Sequence, residues 1–121
     1  MKLELFSENF TVCQVARLPL ALPEVCFIGK TDQELSLVCP TDAVPEEILT
    51  REDGWRCFRI AGVLEFSLVG ILARLSGILA EAGVGLFAVS TFDTDYILVK
   101  AVDLDLAMGA LEAHGYSFVT L

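Results

Sequence analysis

Basic residues are scarce in this chain of 121 residues, which has eight lysines and arginines against seventeen aspartates and glutamates. The formal net charge at pH 7 is −9, and the basic residues are scattered along the sequence. Nucleic acids and anionic membrane surfaces are recognised by clustered lysine and arginine side chains. The charge balance therefore argues against both kinds of partner.

Long apolar runs are also missing, although hydrophobic residues make up 55% of the chain. The apolar residues form short blocks, whereas a membrane-spanning helix needs about 20 consecutive apolar residues. The first residues include Glu4 and Glu8, and they lack the basic segment followed by an apolar segment that is typical of a secretory signal. We therefore expect a cytoplasmic protein with a hydrophobic core.

The four cysteines form no C-x-x-C pair, and the chain has a single histidine. Cys13, Cys26, Cys39 and Cys57 each lie in an apolar run, where a free thiol behaves as a small hydrophobic side chain. His114 lies at the end of a predicted helix, a position that favours a positive charge without any catalytic role. There is neither a glycine-rich phosphate loop before a helix nor a G-x-S-x-G elbow. These absences predict no metal, no cofactor and no enzymatic activity.

The second half of the chain shows the clearest pattern of secondary structure. Apolar residues with helical spacing predict a helix over 71–82, which Gly83 ends. Around it we predict strands at 57–64, 86–92, 96–102 and 116–121, with a second helix between Asp103 and Gly115. The order strand, helix, strand, strand, helix, strand is the ferredoxin-like plan.

The first half reads as a weaker copy of the same plan. We predict strands at 3–6, 10–17, 25–29 and 35–39, a short helix at 45–49 and a turn at 52–54. Pro19 and Pro23 occupy the place of the first helix and disfavour one there. Only residues 55–64 are available to close the first half and to open the second. The sequence therefore predicts a degenerate unit over 1–60 and a complete unit over 57–121 that share this strand in one fused core.

Four segments resemble the ACT domain family. They are FSLVGIL at 66–72, LAEAGV at 79–84, STFDTDYILV at 90–99 and TDQELSLVC at 31–39. The chain looks most similar to small stand-alone bacterial tandem-ACT proteins, and less so to the ACT modules of aspartate kinases and to cytosolic arginine sensors. The resemblance implies an α+β fold of two fused ferredoxin-like ACT units, with an antiparallel sheet and helices on one face. It also implies a non-catalytic regulatory role, in which a small molecule, usually an amino acid, binds at an interface between ACT units.

The same resemblance implies a set of ligand-binding residues in two segments. They are Phe66, Ser67, Leu68, Val69, Gly70 and Ile71 in the loop before the first helix, and Thr91, Phe92 and Asp95 on the hairpin. The chemistry of an amino acid agrees with this set, because a carboxylate binds backbone N–H groups at a helix N-terminus and an ammonium group binds carboxylates. The residues alone leave simpler interpretations open, namely that Ser67 is a helix cap and that Asp93 and Asp95 are ordinary turn residues.

Two further expectations concern other activities and the assembly. An acylphosphatase would need an arginine in the loop at 64–70, which has none, and we expect Arg74 to face solvent or an acidic neighbour. The alternative to ligand binding is a module that only oligomerises. Small residues at Ala73, Gly77 and Ala80 would allow a second element to pack closely on the helix, so we predict a homodimer.

Overall fold

The computed structural model describes residues 1–64 and 69–121. Its strands are β1 (Lys2–Gln14), β2 (Phe27–Lys30), β3 (Leu35–Pro40), β4 (Thr50–Ile60), β5 (Leu86–Ser90), β6 (Asp95–Lys100) and β7 (Ser117–Thr120). Its α-helices are α1 (Ile71–Glu81) and α2 (Leu104–Ala113), and short 3₁₀ helices lie at Thr41–Ala43 and Ala101–Asp103.

The chain forms two compact units. The C-terminal unit comprises Met1–Ser7 together with Arg56–Leu121, and the N-terminal unit comprises Glu8–Trp55. Strands β1 and β4 each contribute residues to both units.

In the C-terminal unit, the sheet has the strand order β7-β1-β4-β6-β5. Strands β5 and β6 form an antiparallel hairpin, in which Ser90 lies opposite Asp95. Strand β7 pairs with the first residues of β1 in parallel, with Lys2 opposite Ser117. The start of the chain therefore lies between β4 and the last strand.

The two helices pack on one face of this sheet. Helix α1 buries Leu75, Ile78 and Leu79, as its apolar spacing predicts, and α2 buries Leu104, Ala107 and Leu111. They share one core with alternating strand residues, which include Leu3, Leu5, Phe58, Ile60, Ile97 and Val99. Gly83, with φ of +80°, follows α1 in the left-handed conformation that was expected at this helix end. The predicted α+β, ferredoxin-like class is confirmed.

The N-terminal unit is a small sheet without an α-helix in residues 8–55. Strand β3 lies between β2 and β1 and is antiparallel to both. Its core consists of Cys13, Val15, Leu37 and Cys39. The segment with Pro19 and Pro23 forms no helix, as expected.

Three predictions in the first half were wrong. The strands at 3–6 and 10–17 are one continuous strand, β1, so the polar residues 7–9 do not interrupt it. The short helix at 45–49 is absent, and the 3₁₀ helix Thr41–Ala43 lies just before it. The turn at 52–54 lies inside β4, where Gly54 adopts a φ of +85°. In the first and third cases local polarity was misleading, because pairing with a neighbouring strand satisfies the backbone whatever the side chain.

The two units repeat one stretch of secondary structure. Strand β3 begins at Leu35 and β6 at Asp95, and each has six residues and leads directly into a 3₁₀ helix of three residues, at Thr41 and at Ala101. The corresponding elements thus lie sixty positions apart. The ranges 1–60 and 57–121 for two ACT units stay a prediction, which this spacing supports.

Candidate functional site

A cavity of about 280 Å³ lies between the first turn of α1 and the turn that joins β5 to β6, within the C-terminal unit. Its lining consists of Leu64, Gly70, Ile71, Leu72, Ala73, Ser90, Thr91, Phe92, Asp93, Thr94 and Asp95. One wall is thus a helix start, and the other is a hairpin turn.

Five of the nine predicted ligand-binding residues line this cavity, and they come from both predicted segments. They are Gly70, Ile71, Thr91, Phe92 and Asp95. Val69 lines a neighbouring cavity instead. Phe66, Ser67 and Leu68 lie outside the described residues. The assignment of these nine residues to a ligand stays a prediction.

Gly70 shapes the helix wall of the cavity. It is the N-cap residue of α1 and has a φ of +84°, and its carbonyl accepts a 2.9 Å hydrogen bond from the N–H of Arg74. A side chain at this φ would be strained, although no atom of the described residues lies within 4 Å of the place that a Cβ would occupy. The first N–H groups of a helix have no partner within the helix and carry partial positive charge. This wall can therefore bind a carboxylate.

Hydrogen bonds of Thr91 fix the backbone of the opposite wall. Its N–H and its Oγ1 both donate to the carbonyl oxygen of Thr94, over 2.9 Å and 3.1 Å. Phe92, at the tip of the turn, leaves 79% of its surface exposed. The backbone of the turn is therefore fixed, while a large aromatic ring projects beside the cavity.

The charged side chains on the described lining are both acidic. Asp95 accepts a 2.6 Å hydrogen bond from Ser90 Oγ, and Asp93 is the second carboxylate. Carboxylates bind ammonium and guanidinium groups. The cavity thus offers donors on the helix wall and acceptors on the hairpin wall.

Thr94 anchors the hairpin wall to the rest of the unit. Its side chain is only 6% exposed, and its Oγ1 donates a 2.8 Å hydrogen bond to the carbonyl of Ile60, the last residue of β4. The N–H of Leu64 donates to the carbonyl of Asp93 over 2.7 Å. Sequence reasoning missed Ser90 and Thr94, because a serine and a threonine near a turn carry no signal that distinguishes anchors from ordinary turn residues.

Clusters of metal ligands and side chains with shifted pKa values are the alternatives to this cavity as a functional site. Residues 1–64 and 69–121 contain no cluster of three or more histidine, cysteine, aspartate or glutamate side chains that could hold a metal ion. Burial raises the pKa of the Cys39 thiol to about 11, and a hydrogen bond from Thr11 lowers the pKa of Asp53. Both groups belong to the N-terminal unit, and neither lines the cavity. Neither α1 nor α2 has the length and apolarity of a membrane-crossing helix.

Several solved structures are similar in fold to this protein over almost its whole chain. A protein from Agobacterium tumefaciens is 30% identical, with a TM-score of 0.88 over 99% of this chain and 92% of its own. Aspartate kinase from Synechocystis is 18% identical, with a TM-score of 0.67 over 98% of this chain and 27% of the kinase. The ligand-free regulatory subunit of aspartate kinase from Thermus thermophilus is 11% identical, with a TM-score of 0.60 over 89% of this chain and 93% of the subunit. At these identities, the two kinase likenesses show the fold alone.

Comparison with family models identifies the family, although no curated protein matches the sequence. The model of the ACT domain matches residues 50–113, which is more than half of the chain. The match runs from the first residue of β4 to the last residue of α2 and includes both walls of the cavity. The chain belongs to the ACT domain family.

Proposed function

We propose that this protein is a non-catalytic regulatory module that binds a free amino acid at an interface between ACT units. The observation that carries the proposal is the cavity between the start of α1 and the β5–β6 turn, which gathers Gly70, Ile71, Thr91, Phe92 and Asp95. Membership of the ACT family and the fold shared with a kinase regulatory subunit support a regulatory role.

The two walls suit the two ends of an amino acid. The α-carboxylate is bound by the N–H groups of the first turn of α1, since these lack partners within the helix. The α-ammonium group is bound by Asp95, or by carbonyl groups of the hairpin turn. The ligand side chain then lies against Leu64 and the ring of Phe92. The charges on the described lining favour a neutral or basic amino acid over an acidic one.

A second copy of the chain completes the proposed site. Phe92 lines the cavity, and Val63 and Val69 precede its lining residues Leu64 and Gly70 in the chain. The exposed fractions of Val63, Val69 and Phe92 are 73%, 93% and 79%. Exposed apolar side chains that lie together are typical of protein–protein interaction sites. We therefore include a homodimer in the proposal, with two ACT units per chain over 1–60 and 57–121 and a cytoplasmic location.

A thermal-shift screen against the common amino acids tests the proposal. Ligand that binds the native state stabilises it by RT ln(1 + [L]/Kd), or about 2.7 kcal/mol at a hundredfold excess over Kd. We expect one neutral or basic amino acid to raise the Tm, and Asp95→Ala to abolish the increase. Failure of every amino acid at millimolar concentration would contradict the proposal.

Glu34→Ala is the matched control. Glu34 accepts a hydrogen bond from Ser36 Oγ beside the hairpin turn of the N-terminal unit, much as Asp95 accepts one from Ser90. Both substitutions remove a carboxylate that accepts a serine hydroxyl. Only Asp95→Ala should abolish the increase in Tm that the amino acid causes. An equal loss of this increase in both variants would indicate an indirect effect on folding.

The second candidate function is assembly without a ligand. The same exposed apolar side chains, Val63, Val69 and Phe92, favour it. It predicts a flat ligand screen and a dimer mass, by light scattering, that Asp95→Ala does not change but Phe92→Ser reduces. A ligand-dependent Tm increase that Asp95→Ala abolishes would exclude it.

A further inference from the structure

A second cavity, of about 380 Å³, lies between the start of α1 and the end of α2. Its lining consists of Met1, Val69, Gly70, Ile71, Arg74, His114, Gly115 and Tyr116. The described lining contains two basic side chains, Arg74 and His114, and the phenol of Tyr116. It contains no side-chain carboxylate. Such surroundings are unusual for two basic residues in a chain with a formal net charge of −9.

Arg74 is held by an aromatic ring and not by a carboxylate. Its guanidinium carbon lies 5.9 Å from the ring centroid of Tyr116. Among the described residues Arg74 forms no ion pair, whereas Arg17, Arg51 and Arg59 each do. Arg74 is exposed to solvent, which is one of the two alternatives expected for it. A cation–π contact uses none of the N–H donors of the guanidinium group, which stay available to an anion.

Tyr116 is a rigid support for this arrangement. It is only 8% exposed and belongs to the core of the C-terminal unit. Its N–H donates a 3.1 Å hydrogen bond to the carbonyl of Leu111, in α2. The position of the ring is therefore fixed by the fold, so that the arginine in contact with it loses less conformational freedom when it binds an anion.

His114 lines the same cavity, and a main-chain contact fixes its ring. Its Nδ1 lies 2.9 Å from the carbonyl oxygen of Ala110. Because a carbonyl only accepts hydrogen bonds, this contact assigns a proton to Nδ1.

We propose that the cavity between the start of α1 and the end of α2 binds a small anion through a phosphate or carboxylate group, with Arg74 as its principal ligand. Arginine presents paired N–H donors that match both groups. His114, at the end of α2, lines the cavity beside it. The proposal stands apart from amino-acid binding, because the two cavities share only Gly70 and Ile71 among their described lining residues.

An NMR titration of the ¹⁵N-labelled protein with inorganic phosphate, at ionic strength held constant with sodium chloride, tests this site. We expect saturable shifts of the Arg74 Nε–H and Gly115 amide signals. A parallel titration with acetate distinguishes the sources, because saturation by phosphate alone assigns a phosphate group, and saturation by acetate alone assigns a carboxylate.

Arg74→Gln should weaken the apparent affinity roughly tenfold or more, as expected for loss of a charge-assisted hydrogen-bonded pair. Glutamine keeps a good helix former in α1. Arg74→Lys, which keeps the charge but not the paired donors, should give an intermediate loss. Arg17→Gln is the control, since Arg17 is an exposed arginine that pairs with Glu47 in the N-terminal unit.

Saturation that Arg74→Gln weakens and Arg17→Gln leaves unchanged would support the site. Shifts that grow linearly without saturation, or that are equal in the wild-type and Arg74→Gln proteins, would overturn it. Asp95→Ala should retain the phosphate response, so failure of the amino-acid site and failure of this site give different results.

Discussion

The hydroxyl group of Thr94 donates a hydrogen bond of 2.8 Å to the main-chain carbonyl of Ile60. Thr94 belongs to the turn that forms one wall of the candidate site, and Ile60 ends the strand β4, after which the chain leads towards α1. A second bond, from the N–H of Leu64 to the carbonyl of Asp93, lies nearby. The hairpin wall of the cavity is therefore fixed by the strand that precedes the helix wall.

Replacement of Thr94 by valine should destabilise the protein by about 1–3 kcal/mol, because it leaves a buried carbonyl without its hydroxyl donor while the shape of the side chain is kept. Urea denaturation monitored by circular dichroism measures this loss. Thr94→Ser keeps the hydroxyl and should cost less. If serine destabilises the protein more than valine does, the methyl group and not the hydrogen bond is what matters at this position.

Substitution by alanine should lower the stability of the protein at Gly70 and raise it at Gly77. Gly70 has a φ of +84°, so Gly70→Ala should cost about 1–2 kcal/mol of stability, the penalty of a left-handed conformation for a residue with a Cβ. Gly77 lies within α1 with open space around it, so Gly77→Ala should stabilise by about 0.5–1 kcal/mol. Thermal unfolding of the two variants provides the comparison. A stabilising effect of Gly70→Ala would show that this backbone relaxes to negative φ.

The C-terminal unit was predicted well because its signals are local. The spacing of Leu75, Ile78 and Leu79 and the terminal Gly83 define α1 without reference to the rest of the chain. Residues 8–55 form no such helix. Strand β1 pairs with β3 over residues 10–14, and the polar residues 7–9 before them do not reveal this pairing. The place of the first residues of the chain beside β7 is likewise a tertiary pairing, over more than a hundred positions, with no local pattern.

The candidate site was predictable only in part, for the same reason. Gly70 and Thr91 follow from the resemblance to the ACT family, and the structure brings them to one cavity. Thr94 was missed because its role depends on a bond to Ile60, 34 positions earlier in the sequence. The contact between Arg74 and the ring of Tyr116 likewise joins distant parts of the sequence, and it cannot be deduced from helical periodicity.

The cysteines should differ sharply in reactivity. Cys13, Cys39 and Cys57 are buried and Cys26 is half-buried. Burial raises the pKa of the Cys39 thiol to about 11, so at pH 8 almost none of it is the reactive thiolate. We expect Ellman's reagent to modify one thiol in the native protein and the other three only in urea, and Cys26→Ser to remove the early reaction. Early modification of two or more thiols would indicate that the N-terminal unit opens readily.

Asp53 should give the protein a component of stability that depends on acid pH. Its Oδ1 accepts a 2.6 Å hydrogen bond from Thr11, which is fully buried, and bonds from Nε and Nη2 of Arg51 at 3.1 Å and 2.9 Å. These donors, Thr11 first, lower the pKa of Asp53 below its ordinary value of 3.8. Because they favour the charged carboxylate, the unfolded chain takes up a proton at higher pH than the folded chain does.

The sign of the effect follows from this difference. The stabilising contribution of Asp53 is fully present above pH 3.8, the value expected for the unfolded chain, and it is lost as the pH falls through the lowered pKa of the folded state. Asp53→Asn keeps an oxygen that can accept the bond from Thr11 but removes the ionisation, so its stability should fall less steeply with acid. Urea midpoints at several pH values between about 5 and 2.5 measure the two slopes.

Thr11→Val should flatten the profile more than Arg51→Gln, because the Thr11 bond is the larger cause of the lowered pKa. Parallel profiles for wild-type and Asp53→Asn would mean that other carboxylates account for the acid sensitivity, and that the Thr11–Asp53 bond forms equally well with a protonated acid.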